Sequence, residues 1–458
     1  MKFLKAISLL CSFVLLFSLL SACGKGDNSA TGSGDDNNSS NKTSGSTPIV
    51  PEIVTGTFAE LYDSEKGKTI KLAVWEDMNK TEARVPLSKI ETDIGLKYEQ
   101  LIIPKAKYVD TLKTLVATGQ SPDVFMSDSG EVGFPLTMQI AAPINKVSTV
   151  DLEEPILDQS FLQYTTIEGN VYLVNTLNSP LSRSKVLFYH KELFLNNGFK
   201  TPAEYYEEGD WTLQTLEKVL HDIKLLGPDY NGGYIDFSSI AASCNGTLAK
   251  YDFKTSTFSN AIFDPNLNSA FEWYSAIKNA GLLNGSIEGF KSGKTGIIVA
   301  DTDSLKVSGL FKNMDPESIG FTFLPSMQDG KNAPIASDFV GFGIVKNAPY
   351  ANAAGYFIRY IVDYRNYDLQ NAFLTPEAGN FYYKLINEIS HNKCFNFDDS
   401  LIAISDKYKD FDDFFDKFRS HHQASPNPSL TDPHLEAVDE FISKGNEIIA
   451  NLKEENAK

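Results

Sequence analysis

The chain has 458 residues, 42% of them hydrophobic and 22% charged, with a formal net charge of −18. That composition suits a globular protein long enough for two lobes of ordinary domain size. Its acidity repels phosphate backbones and no basic stripe offsets it, so nucleic acid is excluded as a partner. In chain order, Lys2 and Lys5 precede an apolar run from Ala6 to Leu20 that is broken by Ser8, Ser12 and Ser18. Charge, length and flanks predict a secretory leader over 1–22, and the run is shorter than the roughly 20 residues that span a bilayer.

Leu20-Ser21-Ala22-Cys23 resembles the lipobox of bacterial lipoproteins, which implies acylation of Cys23 as the new N-terminus and anchoring to the cell membrane through lipid. Residues 23–51 are the lipidated cysteine and a tether. Nearly all of the tether is Gly, Ser, Thr, Asn, Asp and Lys, too polar to offset chain entropy by burial. At about 5–6 Å × √n for such a chain, it would hold the folded body on the order of 30 Å from the lipid. Cys11 leaves with the leader. Cys244 and Cys394 remain, and either a disulfide or two buried thiols fits an exported protein. No CxxC or Cys/His spacing suggests a metal, and no cofactor is expected.

The body opens with a buried strand at 69–75, a surface helix over 79–93, a strand at 96–103, an amphipathic helix over 108–118 closed by Gly119, and a strand at 123–126. This alternation predicts an open parallel sheet with right-handed crossovers. Strands at 169–174 and 184–189 follow, then a short helix over 191–197 stopped by Gly198. Trp211-Thr212 opens a helix to about Leu225 with Thr212 as N-cap, and another helix covers 268–280. Strands return at 295–300, 319–324 and 341–345, the last of them expected to be parallel. Helices dominate from Pro349 on, at about 350–364, 367–373, 380–388, 399–418 and 433–454.

Several stretches then carry a resemblance. Ala117-Thr-Gly-Gln-Ser-Pro-Asp-Val-Phe125 has the pattern A-x-G-x-x-P-D-V. Glu168-Gly-Asn-Val-Tyr-Leu-Val174 and Val186-Leu-Phe-Tyr-His-Lys-Glu-Leu-Phe194 look like G-x-x-Y-x-x-P…L-x-Y-N-K-x-L-F. Gly209-Asp-Trp-Thr212, Phe290-Lys-Ser-Gly-Lys-Thr295, Ile319-Gly-Phe-Thr-Phe-Leu-Pro325 and Ala351-Asn-Ala-Ala354 continue the match in order. Together they resemble the extracellular solute-binding proteins of family 1, the maltose-binding-protein-like lipoproteins that serve ABC importers. His190 replaces the family's usual Asn, Asn175 its frequent Pro, and Ala300-Asp-Thr-Asp303 stands where sugar-binding relatives often place a Trp.

The resemblance implies an α/β, two-lobed periplasmic-binding-protein-like fold, each lobe a mostly parallel sheet flanked by helices, joined by crossover hinge strands. It implies a first lobe of 52–178 plus 326–370 and a second of 179–325 plus 371–458. The solute, a mono- or oligosaccharide, would lie in the cleft. The closed form would meet ABC permease subunits at the extracellular face, with the protein itself monomeric. Ligands of open α/β sheets sit past the carboxyl ends of strands. The expected contacts are therefore Trp75, Glu76, Asp77 and Asn79; Ser127, Asp128 and Ser129; Asn178, Ser182 and Arg183; Asp301 and Asp303; Asp338 and Phe339; and, from a helix, Trp273. Carboxylates and amides bond hydroxyls, and aromatic faces stack on sugar rings.

A receptor for another solute, or a sensor co-receptor, would share every motif. An exported glycosidase is the enzymatic alternative, but no G-x-S-x-G or H-E-x-x-H is present and the chain reads as a binder. Gly289 to Thr295 fails as a phosphate loop, with three residues between its glycines where four are needed.

Overall fold

A computed structural model of the protein describes residues 64–79, 87–130, 132–154, 156–176, 183–328, 330, 333–363, 373–394, 397–404, 407–424 and 433–456. The leader, Cys23, the tether, Asn178 and Ser182 lie outside them, as does most of the expected helix over 367–373.

The first lobe begins with β1 (Thr69–Val74), α1 (Ile90–Ile94), β2 (Lys97–Ile102), α2 (Tyr108–Ala117) and β3 (Val124–Asp128). β2 and β3 flank β1, both parallel to it, which is the expected β-α-β-α-β unit. Of the expected helix over 79–93, the described part holds a 3-10 turn at Leu87–Lys89 and α1, ended by Gly95 in the left-handed region. β4 (Ala141–Ala142) lies at the far edge. α3 (Gln159–Tyr164) is capped by Asp158, which accepts from the Ser160 and Phe161 amides. The strand expected over 169–174 is shorter. β5 (Thr166–Ile167) and β6 (Asn170–Val171) form a small hairpin, and Val174 alone bridges onward, to Phe342.

The second lobe is built on β7 (Arg183–His190). α4 (Lys191–Asn197) and α5 (Pro202–Glu208) follow, α5 with a reciprocal Thr201–Glu204 capping box. In α6 (Leu213–Lys224), Leu216, Val219, Leu220 and Ile223 recur at helical spacing on the buried face, and the Thr212 hydroxyl caps Thr215. Then come β8 (Asn231–Tyr234), α7 (Phe237–Ser243), the hairpin β9 (Ala249–Asp252) and β10 (Thr257–Asn260), α8 (Pro265–Asn279), α9 (Ile287–Lys291), β11 (Thr295–Asp301), β12 (Ile319–Thr322) and β13 (Ile335–Asp338).

β14 (Val340–Val345) belongs to the first sheet, where it runs antiparallel to β3. The parallel orientation expected for it is therefore corrected. It enters that sheet directly from β13, with only Phe339 between them, so its direction is set by the crossing from the other sheet and not by a helical crossover from a neighbouring strand. Gly343 lets β14 approach: a Cβ there would meet the Phe125 ring at 2.3 Å. Helices α10 (Ala351–Val362), α11 (Pro376–Asn392), α12 (Asp398–Ile402), α13 (Phe411–Ala424) and α14 (Pro433–Asn456) complete the chain, with β15 (Lys393–Cys394) between α11 and α12. The single helix expected over 399–418 is thus two, because Asp399 accepts from the Phe411 amide and folds the chain back between them.

The first sheet runs β2-β1-β3-β14-β4, with Ile70, Leu72, Val74, Val124 and Met126 packed under α1 and α10. The second sheet is mixed. β7 pairs antiparallel with β11 along one edge, and with β12 and then β13 along the other, while β8 lies parallel to β11. Val186 and Phe188 point to a core with Phe290, Phe311 and Tyr382. Leu187 and Tyr189 point the other way, toward α6 and α7. Trp211, fully buried, donates from its indole Nε1 to the Phe323 carbonyl at 3.0 Å. Among the described residues no helix is long and apolar enough to cross a membrane.

Candidate functional site

The chain crosses between sheets at Phe339, and the polar residues on either side of that crossing converge. On the first lobe, β3 ends in Asp128. One carboxylate oxygen accepts from the amides of Gly130 (2.9 Å) and Val132 (3.2 Å), and the other from Lys105 Nζ at 2.6 Å. Lys105 also lies 5.0 Å over the Trp75 ring, and that ring meets Tyr108 edge-on at 5.7 Å. Tyr108 is fixed in turn, donating to the Ala73 carbonyl at 2.7 Å and accepting from the Met126 amide at 3.1 Å. Trp75, Lys105 and Asp128 therefore form one braced wall.

Ser129 bridges to the second lobe, its hydroxyl 3.4 Å from Asp338 Oδ1. Its carbonyl accepts from Ser400 at 2.9 Å. Asp338 closes β13 and is open to solvent, yet protein surrounds it closely. Burial among these neighbours raises its carboxyl above the ordinary range, Lys185 opposes the rise, and Asp301 and Asp128 add to it. Asp301, at the end of β11, pairs in register with Lys185 on β7. Residues opposed in this way present side chains to the same face of the sheet.

Lys185 is half-buried and hemmed by four carboxylates. Burial works against its charge, but Asp236, Asp338, Asp301 and Asp412 together overcome it and hold the ammonium above its usual value. Asp236 and Asp412 share the N-terminus of α7. Asp236 accepts from Ser239 N at 2.7 Å, while Asp412 accepts from Phe237 N at 2.9 Å and Ser238 N at 3.0 Å. Helix N-terminal amides favour such charge. Even so, burial and the repulsion of Asp236 push Asp412 up to about 7. Asp399 reaches about 7 as well, through burial and the neighbouring Asp398, Asp338 and Asp410.

Of the residues expected from sequence, Trp75, Asp128, Ser129, Asp301 and Asp338 thus belong to one connected group. Ser127 and Phe339 support it from behind. The Ser127 side chain is 0% exposed and bonds the Val132 carbonyl and Thr137 hydroxyl, while Phe339, 1% exposed, packs on Phe161 at 4.9 Å. Glu76 is exposed. Asp77 accepts from Asn79 N and Gln100 Nε2, and Asn79 from the Tyr98 hydroxyl, a local network at the edge of the first sheet. Asp303 pairs with Lys306. Trp273 lies on α8, partly buried against the second-lobe core. Arg183 starts β7, its backbone in register with Asp338.

Lys105, Lys185, Asp236, Asp399 and Asp412 were not anticipated. Only Lys185 left a trace in the sequence, a cation directly before the apolar run Val186-Leu-Phe188. Cys244 is a free, buried thiol that burial pushes up to about 11. The group supplies fixed acceptors, two ammonium donors and an indole, all suited to holding a polar molecule.

A family model described as bacterial extracellular solute-binding protein matches residues 88–372. No curated protein matches the sequence. Among solved structures, the GacH receptor of Streptomyces glaucescens GLA.O, known unliganded and with acarbose, is similar at 15% identity, with 84% of this chain and 98% of that one covered and a TM-score of 0.57. The cyclic alpha-maltosyl-1,6-maltose binding protein of Arthrobacter globiformis is similar at 12% identity over 84% and 99%, with a TM-score of 0.58. The sugar-binding protein MalE of Xanthomonas citri is similar at 15% identity over 85% and 99%, also with 0.58. At such identities the likeness is one of fold.

Proposed function

The chain belongs to the bacterial extracellular solute-binding proteins, and on that premise we propose that it is the lipid-anchored receptor of an ABC importer, capturing a carbohydrate between its lobes and releasing it unchanged. The observation that carries this reading is that Trp75, Lys105 and Asp128 of one lobe stand beside Asp338, Lys185 and Asp301 of the other, linked by the Ser129–Asp338 contact next to a one-residue crossing. A solute bound there would touch both lobes, so its binding energy would favour the closed arrangement over the open one. Hinge closure is the ordinary way for such a fold to convert occupancy into shape. The sugar-binding neighbours support the choice of carbohydrate, as do carboxylates beside an indole, the pairing that suits hydroxyls on a ring with an apolar face.

On this reading the first lobe comprises 52–178 plus 326–370, and the second 179–325 plus 371–458. Acylated Cys23 holds the tether at the outer face of the membrane, and permease subunits receive the closed form from a monomer. Two acyl chains, each CH₂ contributing about 0.8 kcal/mol when buried, suffice for stable anchoring. Isothermal titration of the full chain in detergent against neutral mono- and oligosaccharides tests the reading. The expected result is saturable binding of at least one sugar, recovered intact by mass spectrometry. Absence of binding across the panel, or recovery of a cleaved sugar, would contradict it.

A further inference from the structure

We propose that Lys185 is a specificity-determining residue of the cleft which, with Asp301 and Asp338, reads a pair of neighbouring uncharged hydroxyls on the solute. The inference rests on the carbohydrate reading above and adds to it the charge class of the sugar.

Three observations support it. Lys185 and Asp301 are cross-strand partners on one face of the second sheet. Asp338 ends the next strand along, which pairs with β7 at residues 183 and 184. Cation and carboxylates thus share a small area at the lobe crossing. The next residues of β7 on the Lys185 face are Leu187 and Tyr189, both core, so the ammonium stands where the apolar face gives way to the cleft. Finally, no side-chain hydrogen bond and no ion pair within 4.0 Å joins Lys185 to any described residue, although four carboxylates hold it charged. Two other lysines of restricted exposure are directly paired, Lys306 with Asp303 and Lys346 with Glu455. Lys185 is held among its acids without being satisfied by them.

The chemistry of the occupant follows. An ammonium only donates and an ionised carboxylate only accepts. A hydroxyl does both. One placed between them accepts from Lys185 and donates to Asp301 or Asp338, and a neighbouring hydroxyl completes the set. The carboxylate of a uronic acid brings acceptors alone and sets its charge against Asp236, Asp301, Asp338 and Asp412, which outnumber the one ammonium. Like charges in an enclosed site cost affinity steeply. The arrangement selects a neutral diol over an anionic sugar.

Titration calorimetry on the full chain in detergent tests this with trisaccharides differing in charge: the neutral maltotriose, cellotriose and mannotriose, and the anionic trigalacturonic acid. The expected result is that a neutral trimer binds at least tenfold more tightly than the anionic one. Lys185→Met and Lys185→Gln should each weaken that neutral trimer about ten- to a hundredfold, the loss appropriate to a hydrogen bond from a charged donor. Their melting curves by circular dichroism should stay cooperative, showing that the fold is kept. Trigalacturonic acid binding as tightly as the neutral trimers would overturn the inference. So would unchanged affinity in both variants, which would leave the carbohydrate reading standing. If no neutral trimer binds, this inference fails, and the wider panel decides separately whether the carbohydrate reading fails with it.

Discussion

Asp412 shows how the residues around the cleft trade stability for charge. Its carboxyl and that of Asp399 are pushed up to about 7, against about 4 in an unfolded chain. Between those values the folded protein holds protons that the unfolded chain has released. Stability is therefore greatest below about pH 4 as far as these two groups decide it, and it falls as pH rises through 7. His190, held below its usual value by burial, acts in the opposite sense, so a variant comparison is needed to isolate the acids. Asp412→Asn keeps an oxygen for the Phe237 and Ser238 amides and removes the titration. Its thermal midpoint should drop less than the parent's between pH 5 and pH 8, by a few degrees, when followed by differential scanning calorimetry. Parallel profiles for the two proteins would contradict the assignment. The acids at strand ends, Asp128 and Asp301, were legible because a strand-loop boundary can be read locally, whereas Asp338 was expected only ahead of the 341–345 strand and instead ends a strand of its own. Asp412 and Asp399 were not, because they reach Lys185 and Asp338 from helices more than 60 residues away in the chain, and no local pattern records such a meeting.

Among the elements, α14 has the clearest structural task. Asn446 Oδ1 accepts from the Phe258 amide at 2.7 Å while its Nδ2 donates to the Phe258 carbonyl at 2.9 Å, so one side chain stands in for a third strand beside β10. Gly445 permits this approach, since a Cβ there would lie 2.6 Å from Leu401 and 3.4 Å from Phe258. The last turn of the same helix reaches the first lobe, where Glu455 pairs with Lys346 and Asn456 donates to the Tyr172 hydroxyl. Asn446→Ala should strip both Phe258 groups and destabilise the protein by about 1–3 kcal/mol, measured by urea denaturation. An unchanged midpoint would show that solvent replaces the side chain freely. Elements with strong local signals were read well from sequence. α6 carries its N-cap and apolar stripe in plain view, and α4 ends at a glycine in the left-handed region. Strand direction was not legible for β14, because orientation follows from where the preceding strand lies, and β13 lies in the other sheet. Nor was the break between α12 and α13, where a single carboxylate on a backbone amide turns a continuous-looking run.

For the whole molecule, the two sheets are joined by crossings, and the lobes built on them share aromatic contacts such as Phe134 with Phe397 at 5.4 Å and Tyr164 with Phe253 at 5.3 Å. The order of motifs along the chain made this two-lobed plan legible, whereas the pairing of residues across the cleft depends on packing that only the folded chain displays. Solute capture requires that the lobes approach when the cleft is filled. Leu101 on β2 and Leu225 after α6 are exposed on different lobes, at 37% and 82%, and would accept spin labels after replacement by cysteine in a background where Cys244→Ser and Cys394→Ser remove the native thiols of the body. Pulsed dipolar spectroscopy of that labelled chain, with and without the sugar found by calorimetry, is the most direct test. The account expects the distance distribution to move to a single shorter population when the sugar is added. A distribution unchanged at saturating sugar would contradict the claim that closure around the solute is how this protein works.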